Sequence, residues 1–129
     1  MEHCPFCTPD REAVFSSDHG FAIFDRYPVT DGHMLVIPRR HVAGYFQLSG
    51  EEKADLWNLV ERVREYLREK FGPDGFNIGF NENRAAGQTI FHVHIHVIPR
   101  YEGDVEDPAG GIRNVIPGKG RYGEDSMDA

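Results

Sequence analysis

A chain of 129 residues with 40% apolar and 12% aromatic content suits one domain with its own core rather than two, and it excludes a disordered polymer. A formal net charge of −7 with no dense basic run excludes a nucleic-acid surface, which needs clustered Lys and Arg to neutralise phosphates. No apolar run approaches the about 20 residues of a membrane span, and Met1-Glu2-His3-Cys4-Pro5 lacks the basic-then-apolar profile of a signal peptide, so a cytoplasmic protein with no membrane partner is expected.

In chain order, the first feature is Cys4-Pro5-Phe6-Cys7. A structural disulfide is not expected in the cytoplasm, which leaves a zinc half-site, a redox pair or two small buried residues. Thioredoxin-like chemistry wants such a pair opening a helix after a strand, a context that the residues before Cys4 do not supply. From Val14 to Phe24 the pattern reads as two short strands turning at Asp18-His19-Gly20. Pro28 to Gly32 is a loop, and His33 to Ile37 is a strand covered on both faces and stopped by Pro38. His3 and His19 have no partner pattern and are expected at the surface.

The spacing predicts a helix after Ser49-Gly50-Glu51-Glu52, a capping box with Ser49 as N-cap and Glu52 reaching back. Leu56, Leu59, Val60, Val63, Leu67 and Phe71 recur at helical intervals, and Gly72-Pro73 ends the run. Glu61, Arg62, Glu65, Arg68 and Glu69 form the solvated face. Trp57, Leu59 and Val60 would serve a dimer interface or a monomer core equally well. Two strands follow, Phe76 to Phe80 and Phe91 to Ile98, separated by a turn-forming loop from Asn81 to Gly87. The Gly/Pro-rich segment 102–129 is expected to pack on a domain spanning 1–101 through the apolar residues of Gly110 to Lys119, with its last residues mobile. The fold class expected is α+β: a mainly antiparallel sheet with one long helix.

The chemistry lies in His92-Val93-His94-Ile95-His96. Side chains two apart on a strand share a face about 6.7 Å apart, so the three histidines line one face while Phe91, Val93, Ile95 and Val97 line a buried one. One metal ion cannot take all three, because the outer pair is about 13 Å apart and a Zn–N bond is only ~2.1 Å. Nucleophilic catalysis, in which one neutral imidazole attacks and its neighbours orient it, fits the strand better.

The run Gly87-Gln88-Thr89-Ile90-Phe91-His92-Val93-His94-Ile95-His96-Val97-Ile98-Pro99-Arg100 resembles the signature of the histidine-triad family. Its Gly-Gln-Thr lead and Ile-Pro-Arg trail are similar to the fragile-histidine-triad branch of dinucleoside polyphosphate hydrolases. Asp25, Pro28, Gly32-His33 and Leu35-Val36-Ile37-Pro38 followed by His41 match the family's N-terminal half.

The resemblance implies that His94 attacks an α-phosphorus, forming a nucleotidyl-histidine that water cleaves. Its proton-bearing nitrogen would be held by the carbonyl of His92, His96 would serve the phosphate and leaving group, and His33 would support this network. Gln88 and Thr89 would donate to phosphate oxygens, Asn81 would lie near the phosphates, Asp25 would grip the ribose, and Phe6 and Ile23 would wall the base. Some relatives complete an N-terminal Cys-x-x-Cys with histidines at positions matching His41 and His92, which implies a structural zinc on Cys4, Cys7, His41 and His92. The resemblance also implies a nucleotide substrate and a homodimer, and admits Mg2+ as companion of a polyphosphate.

Three classes of function compete. A nucleotidyl hydrolase acting on dinucleoside polyphosphates shares its nucleophile with phosphoramidases, phosphorylases and nucleotidyltransferases. A nucleotide-binding regulatory module would retain little activity, and a zinc hydrolase would use the triad as ligands. Since the acidic chain repels polyanions overall, local donors must hold the phosphates, with Arg100, Arg113, Lys119 and Arg121 as candidates.

Overall fold

The computed structural model describes residues 4–122. Two short antiparallel strands, β1 (Phe15–Ser16) and β2 (Gly20–Phe24), are followed by β3 (Met34–Pro38), helix α1 (Gly50–Phe71), β4 (Gly75–Gly79) and β5 (Ile95–Arg100). They build one antiparallel sheet in the order β1-β2-β3-β5-β4. The α+β architecture expected from the sequence is the one observed.

Ser49 caps α1 as the pattern requires: its Oγ accepts the Glu52 N–H at 3.0 Å while Glu52 Oε1 accepts the Ser49 N–H at 2.8 Å. Glu52 also takes a two-pronged bond from Arg40, which together with the cap holds its carboxyl down at about 2. Gly72 closes the helix in the left-handed region at φ 62°, where a side chain is disfavoured. Replacing Ser49 with Ala should cost about 1 kcal/mol of stability, read as a lower urea midpoint at unchanged slope.

Alternation along the strands sorts the sheet into two faces. Ala22, Met34, Val36, Ile95 and Val97 meet Leu56, Leu59, Val60, Val63 and Leu67 of α1 in the main core. The approach is tightest at Gly20, where a Cβ would stand 2.6 Å from Leu56 Cδ2 and 2.9 Å from the Ile37 carbonyl. Leu59 and Val60 are therefore core residues of the single chain, and Trp57 donates to the Tyr45 hydroxyl at 3.0 Å. The opposite face holds a second cluster of Cys4, Phe6, Phe21, Ile23, Leu35 and Ile37, packed by Ile90. The histidines lie on this second face.

Several expectations need correction. The strand predicted over Phe91 to Ile98 begins only at Ile95 and runs on to Arg100, passing through the buried Pro99. The segment before it leaves the sheet because Val93 N–H bonds the Val42 carbonyl and His92 turns into a cluster of its own. Phe91 is 41% exposed rather than buried. His19 is half-buried, its N–H on Asp55 and its ring 3.8 Å from Glu51; His3 lies outside the described residues. The segment after Tyr101 holds to the body through polar contacts: Tyr101 Oη donates to the Asp31 carbonyl and Glu102 N–H to Asp74. Ile112, Val115 and Ile116, its supposed apolar anchor, are exposed. The expected mobile end, 123–129, lies outside the described residues.

Candidate active site

One rung of the sheet aligns the site. Ile23 pairs with Leu35, Leu35 pairs with His96, and at the strand end Asp25 N–H bonds the His33 carbonyl at 2.9 Å. Alternation then aims His33, Leu35 and His96 at the face away from the helix. A cavity of about 530 Å³ opens there, lined among others by Phe6, Asp25, Leu35, Asn81, Thr89, Ile90, His94 and His96.

Hydrogen-bond partners fix the protonation of three rings. His94 Nδ1 lies 2.9 Å from the His92 carbonyl, which only accepts, so Nδ1 carries the proton and Nε2 keeps its lone pair. His33 Nδ1 accepts the Val29 N–H at 3.1 Å, which leaves the proton on Nε2. That Nε2–H donates to His96 Nδ1 at 3.0 Å, with Asp25 Oδ2 3.4 Å away. His96 Nδ1 is thus an acceptor, and its Nε2 is the donor. The chain of neutral imidazoles ends in a lone pair on His94 and an N–H on His96, with ring centroids 5.0 Å apart.

Burial keeps these rings neutral. Desolvation pulls His33, His94 and His96 below the ordinary imidazole value, and His94 and His33 beside it help push His96 down to about 4. Asp25, His33 and His96 also lie close enough to suggest a metal site. The proton that Val29 forces onto His33 Nε2 argues against it, because a metal-bound nitrogen must be bare.

The second cluster sits behind the triad. The Sγ atoms of Cys4 and Cys7 and Nδ1 of His41 and His92 all lie within 4.8 Å of one another. His92 Nδ1 is 3.4 Å from Cys4 Sγ, 3.7 Å from Cys7 Sγ and 3.1 Å from His41 Nδ1. His92 Nε2 lies 2.8 Å from the Pro38 carbonyl and so carries the proton, leaving Nδ1 bare. Edges of about 3.3–3.8 Å are those of a tetrahedron with Zn–S near 2.3 Å and Zn–N near 2.05 Å. Two thiols, two imidazole nitrogens and this spacing fit a metal ion; among the described cysteines there is no disulfide.

The other expected residues fall as follows. Asn81 and Thr89 line the cavity. Asp25 lines it with one oxygen near His33 while the other accepts the Tyr27 N–H at 2.8 Å, so it serves both the turn and the cavity. Gln88 also lines the cavity, while its side-chain amide donates to the Ala43 and Ile90 carbonyls and its oxygen accepts the Asn83 N–H, bonds that clamp the loop. Ile23 is fully buried and is not among the cavity's lining residues, whereas Leu35 lines it. Leu35 was findable from strand alternation with His33.

Among the expected cations, Arg100 is bound to Asp104 and Asn77, and Arg121 to Asp107. Arg113 donates to the Lys119 carbonyl and lies over Tyr122. The cavity's cationic lining is Arg11 and Arg26, both paired with Asp10. Both sit beside ordinary turn residues, and nothing in the sequence marks them.

A helix-backed antiparallel sheet carrying neutral histidines at the mouth of a cavity defines a histidine-triad protein. The HIT domain family matches residues 8–103, and the chain belongs to that family. It is 38% identical over 103 residues to the bis(5'-adenosyl)-triphosphatase of Dictyostelium discoideum, covering 80% of this chain and 69% of that one. That relative accords with the fragile-histidine-triad branch expected from the motif. Among solved structures, a HIT family protein from Bacillus anthracis superposes with a TM-score of 0.74 at 35% identity, covering 80% of this chain and 77% of that one. A Zn-bound histidine triad family protein from Mycobacterium smegmatis gives 0.70 at 36% identity, covering 78% and 77%.

Proposed function

We propose that the protein is a nucleotidyl hydrolase cleaving dinucleoside polyphosphates, of the diadenosine tetraphosphate kind, at the α-phosphate. The observation that carries this reading is the tautomer pair, a bare His94 Nε2 beside a protonated His96 Nε2 on one cavity. The named activity of the Dictyostelium relative agrees with it.

In the first step His94 Nε2 attacks the α-phosphorus and forms a P–N bond as the bridging P–O bond breaks. The departing oxygen leaves as the polyphosphate anion, its charge stabilised by a hydrogen bond from His96 Nε2–H, and His33 Nε2–H supports His96 through Nδ1. The positive charge arriving on His94 is stabilised by its Nδ1–H bond to the His92 carbonyl. In the second step water attacks the phosphorus, the P–N bond breaks with its electron pair returning to His94 Nε2, and the water's proton is released to solvent. Thr89 and Asn81 hold phosphate oxygens and Arg11 and Arg26 face the distal phosphates; Mg2+ would accompany the polyphosphate.

Asp25 takes the ribose hydroxyls. Its replacement by Asn should raise KM by on the order of tenfold with a smaller change in kcat, read from initial rates. The metal on Cys4, Cys7, His41 and His92 is zinc in this reading, supported by the ligand set and by the Zn-bound mycobacterial neighbour. Zinc held by these four side chains would be structural and would supply rigidity next to the triad. Reduced thiols of this kind suit the cytoplasm, and a second copy of the chain is the expected partner.

The test is a panel of dinucleoside polyphosphates, phosphoramidates and adenylylated amines run in labelled water with and without phosphate. Label in the released monophosphate supports hydrolysis, and a nucleoside diphosphate formed from added phosphate would mean phosphorolysis. Tight monophosphate binding without turnover of any substrate would overturn the enzyme reading in favour of a binding module.

A further inference from the structure

The metal-ligand turn and the cavity wall are the same stretch of chain. Cys4 and Cys7 bracket Pro5 and Phe6, and the turn closes through the Cys7 and Thr8 N–H groups on the Cys4 carbonyl at 3.1 and 3.3 Å. Phe6 is 6% exposed. Its ring stands edge-on to His94 at 4.9 Å between centroids and to the ligand His92 at 6.0 Å. Pro5, Phe6 and Thr8 all line the cavity that holds His94 and His96. After the turn, the next backbone hydrogen bond to the sheet is Val14 N–H to the Ala22 carbonyl. Strand pairing therefore does not hold this wall. The sulfur–nitrogen contacts to His41 and His92 and the burial of Cys4 and Phe6 do, with Arg11 on the Phe24 carbonyl and Asp10 on Arg26 tethering the residues that follow.

We infer that metal occupancy of the Cys4–Cys7–His41–His92 site sets the affinity of the cavity for a nucleobase, with Phe6 as the side chain that couples the two sites. The inference rests on the nucleotide reading above and adds a thermodynamic link to it. A loaded site pins both ends of the Phe6 turn, so the aromatic wall is in place before the base arrives. An unloaded site leaves two thiols with weak S–H contacts, and the base must order the turn itself, which lowers its affinity. Linkage is reciprocal: a base that ranks metal-loaded above metal-free protein must tighten metal by the same factor. The phosphate subsite around Thr89, Asn81 and His96 lies on other segments. A ligand without a base should therefore not sense the metal.

The experiment uses adenosine monophosphate and ribose 5-phosphate as probes on the full chain. Dissociation constants are measured by calorimetry before and after metal removal with a chelator, with far-ultraviolet circular dichroism recorded throughout. Metal affinity is measured by competition with a chromophoric chelator in the absence and presence of each probe. Metal removal should weaken adenosine monophosphate on the order of tenfold, a typical coupling factor, and should leave ribose 5-phosphate unchanged. Saturating adenosine monophosphate should tighten metal by the same factor, and ribose 5-phosphate should not. Phe6→Ala should keep its metal, bind the nucleotide more weakly, and lose the metal dependence.

If metal removal unfolds the chain, the metal-affinity arm on loaded protein decides: tightening by the nucleotide alone supports the coupling. Equal effects of both probes, or no effect of either, overturn it, as does a Phe6→Ala protein with undiminished coupling. Metal-loaded protein that binds ribose 5-phosphate but not adenosine monophosphate overturns the nucleobase reading itself, an outcome distinct from normal binding that ignores the metal.

Discussion

His94→Asn should fold, keep its metal and bind a nucleoside monophosphate within about threefold of the parent while turnover falls by on the order of 10⁴-fold or more, as when other enzymes lose a nucleophile. The expectation follows from one atom. His94, which lines the cavity, keeps a bare Nε2, because Nδ1 is tied to the His92 carbonyl at 2.9 Å. An asparagine amide can still reach for that carbonyl, yet it brings no nucleophilic lone pair to the phosphorus. Its volume is close enough to leave Phe6, 4.9 Å from the imidazole, nearly in place. Incubation with labelled substrate quenched in alkaline detergent, which preserves a P–N bond, should trap a nucleotidyl-protein adduct in the parent and none in the variant. Turnover of the variant within tenfold of the parent would remove His94 from the chemistry and leave the cavity as a binding site alone.

The parts of the molecule legible from sequence are those in which one local rule dominates. Ser49, Glu52, the apolar spacing from Leu56 to Phe71 and Gly72 each state the helix independently, and the helix forms over Gly50–Phe71. The sheet strands from Phe15 to Pro38 follow turn chemistry and the continuous apolar run of a strand covered on both faces. The histidine segment is different because two forces compete in it. Alternation predicts a strand from Phe91, whereas His92 is drawn to the sulfur atoms of a turn 85 or more positions earlier, and the strand waits until Ile95. No local pattern reports a tie of that length. Gln88 was only half legible for a related reason: a polar side chain lining a cavity can also serve the loop, and its three backbone partners exist only in the fold. Arg11 and Arg26 meet through Asp10 only because the segment after Cys7 folds back over the end of β2, so neither is marked in sequence.

The buried histidines also set the acid stability, and the sign follows from the direction of their shifts. His96 is held at about 4 by burial and by the neighbouring His94 and His33, with Asp25 pulling weakly the other way. In the unfolded chain an imidazole titrates near 6.5. Between those values the unfolded state binds more protons, so stability is fully present above about 6.5 and is lost as pH falls through the folded value. Discounted for its partial exposure, His96 alone should cost about 2 kcal/mol between pH 7 and pH 4, with His33 and His94 adding in the same direction. Carboxylates enter in a lower window, because Glu52 is held at about 2 and its stabilisation is lost only below the ordinary glutamate range. Urea unfolding at pH 7, 5.5 and 4, with metal content followed in parallel, should show the loss beginning near 6.5. His96→Gln should flatten the slope between 6.5 and 4 while leaving the lower window intact. Catalysis follows the same logic, since a proton on His94 removes the attacking lone pair. The acid limb of kcat/KM should therefore fall below the ordinary imidazole value, and a limb at or above 6.5 would mean that the triad is not held neutral by burial.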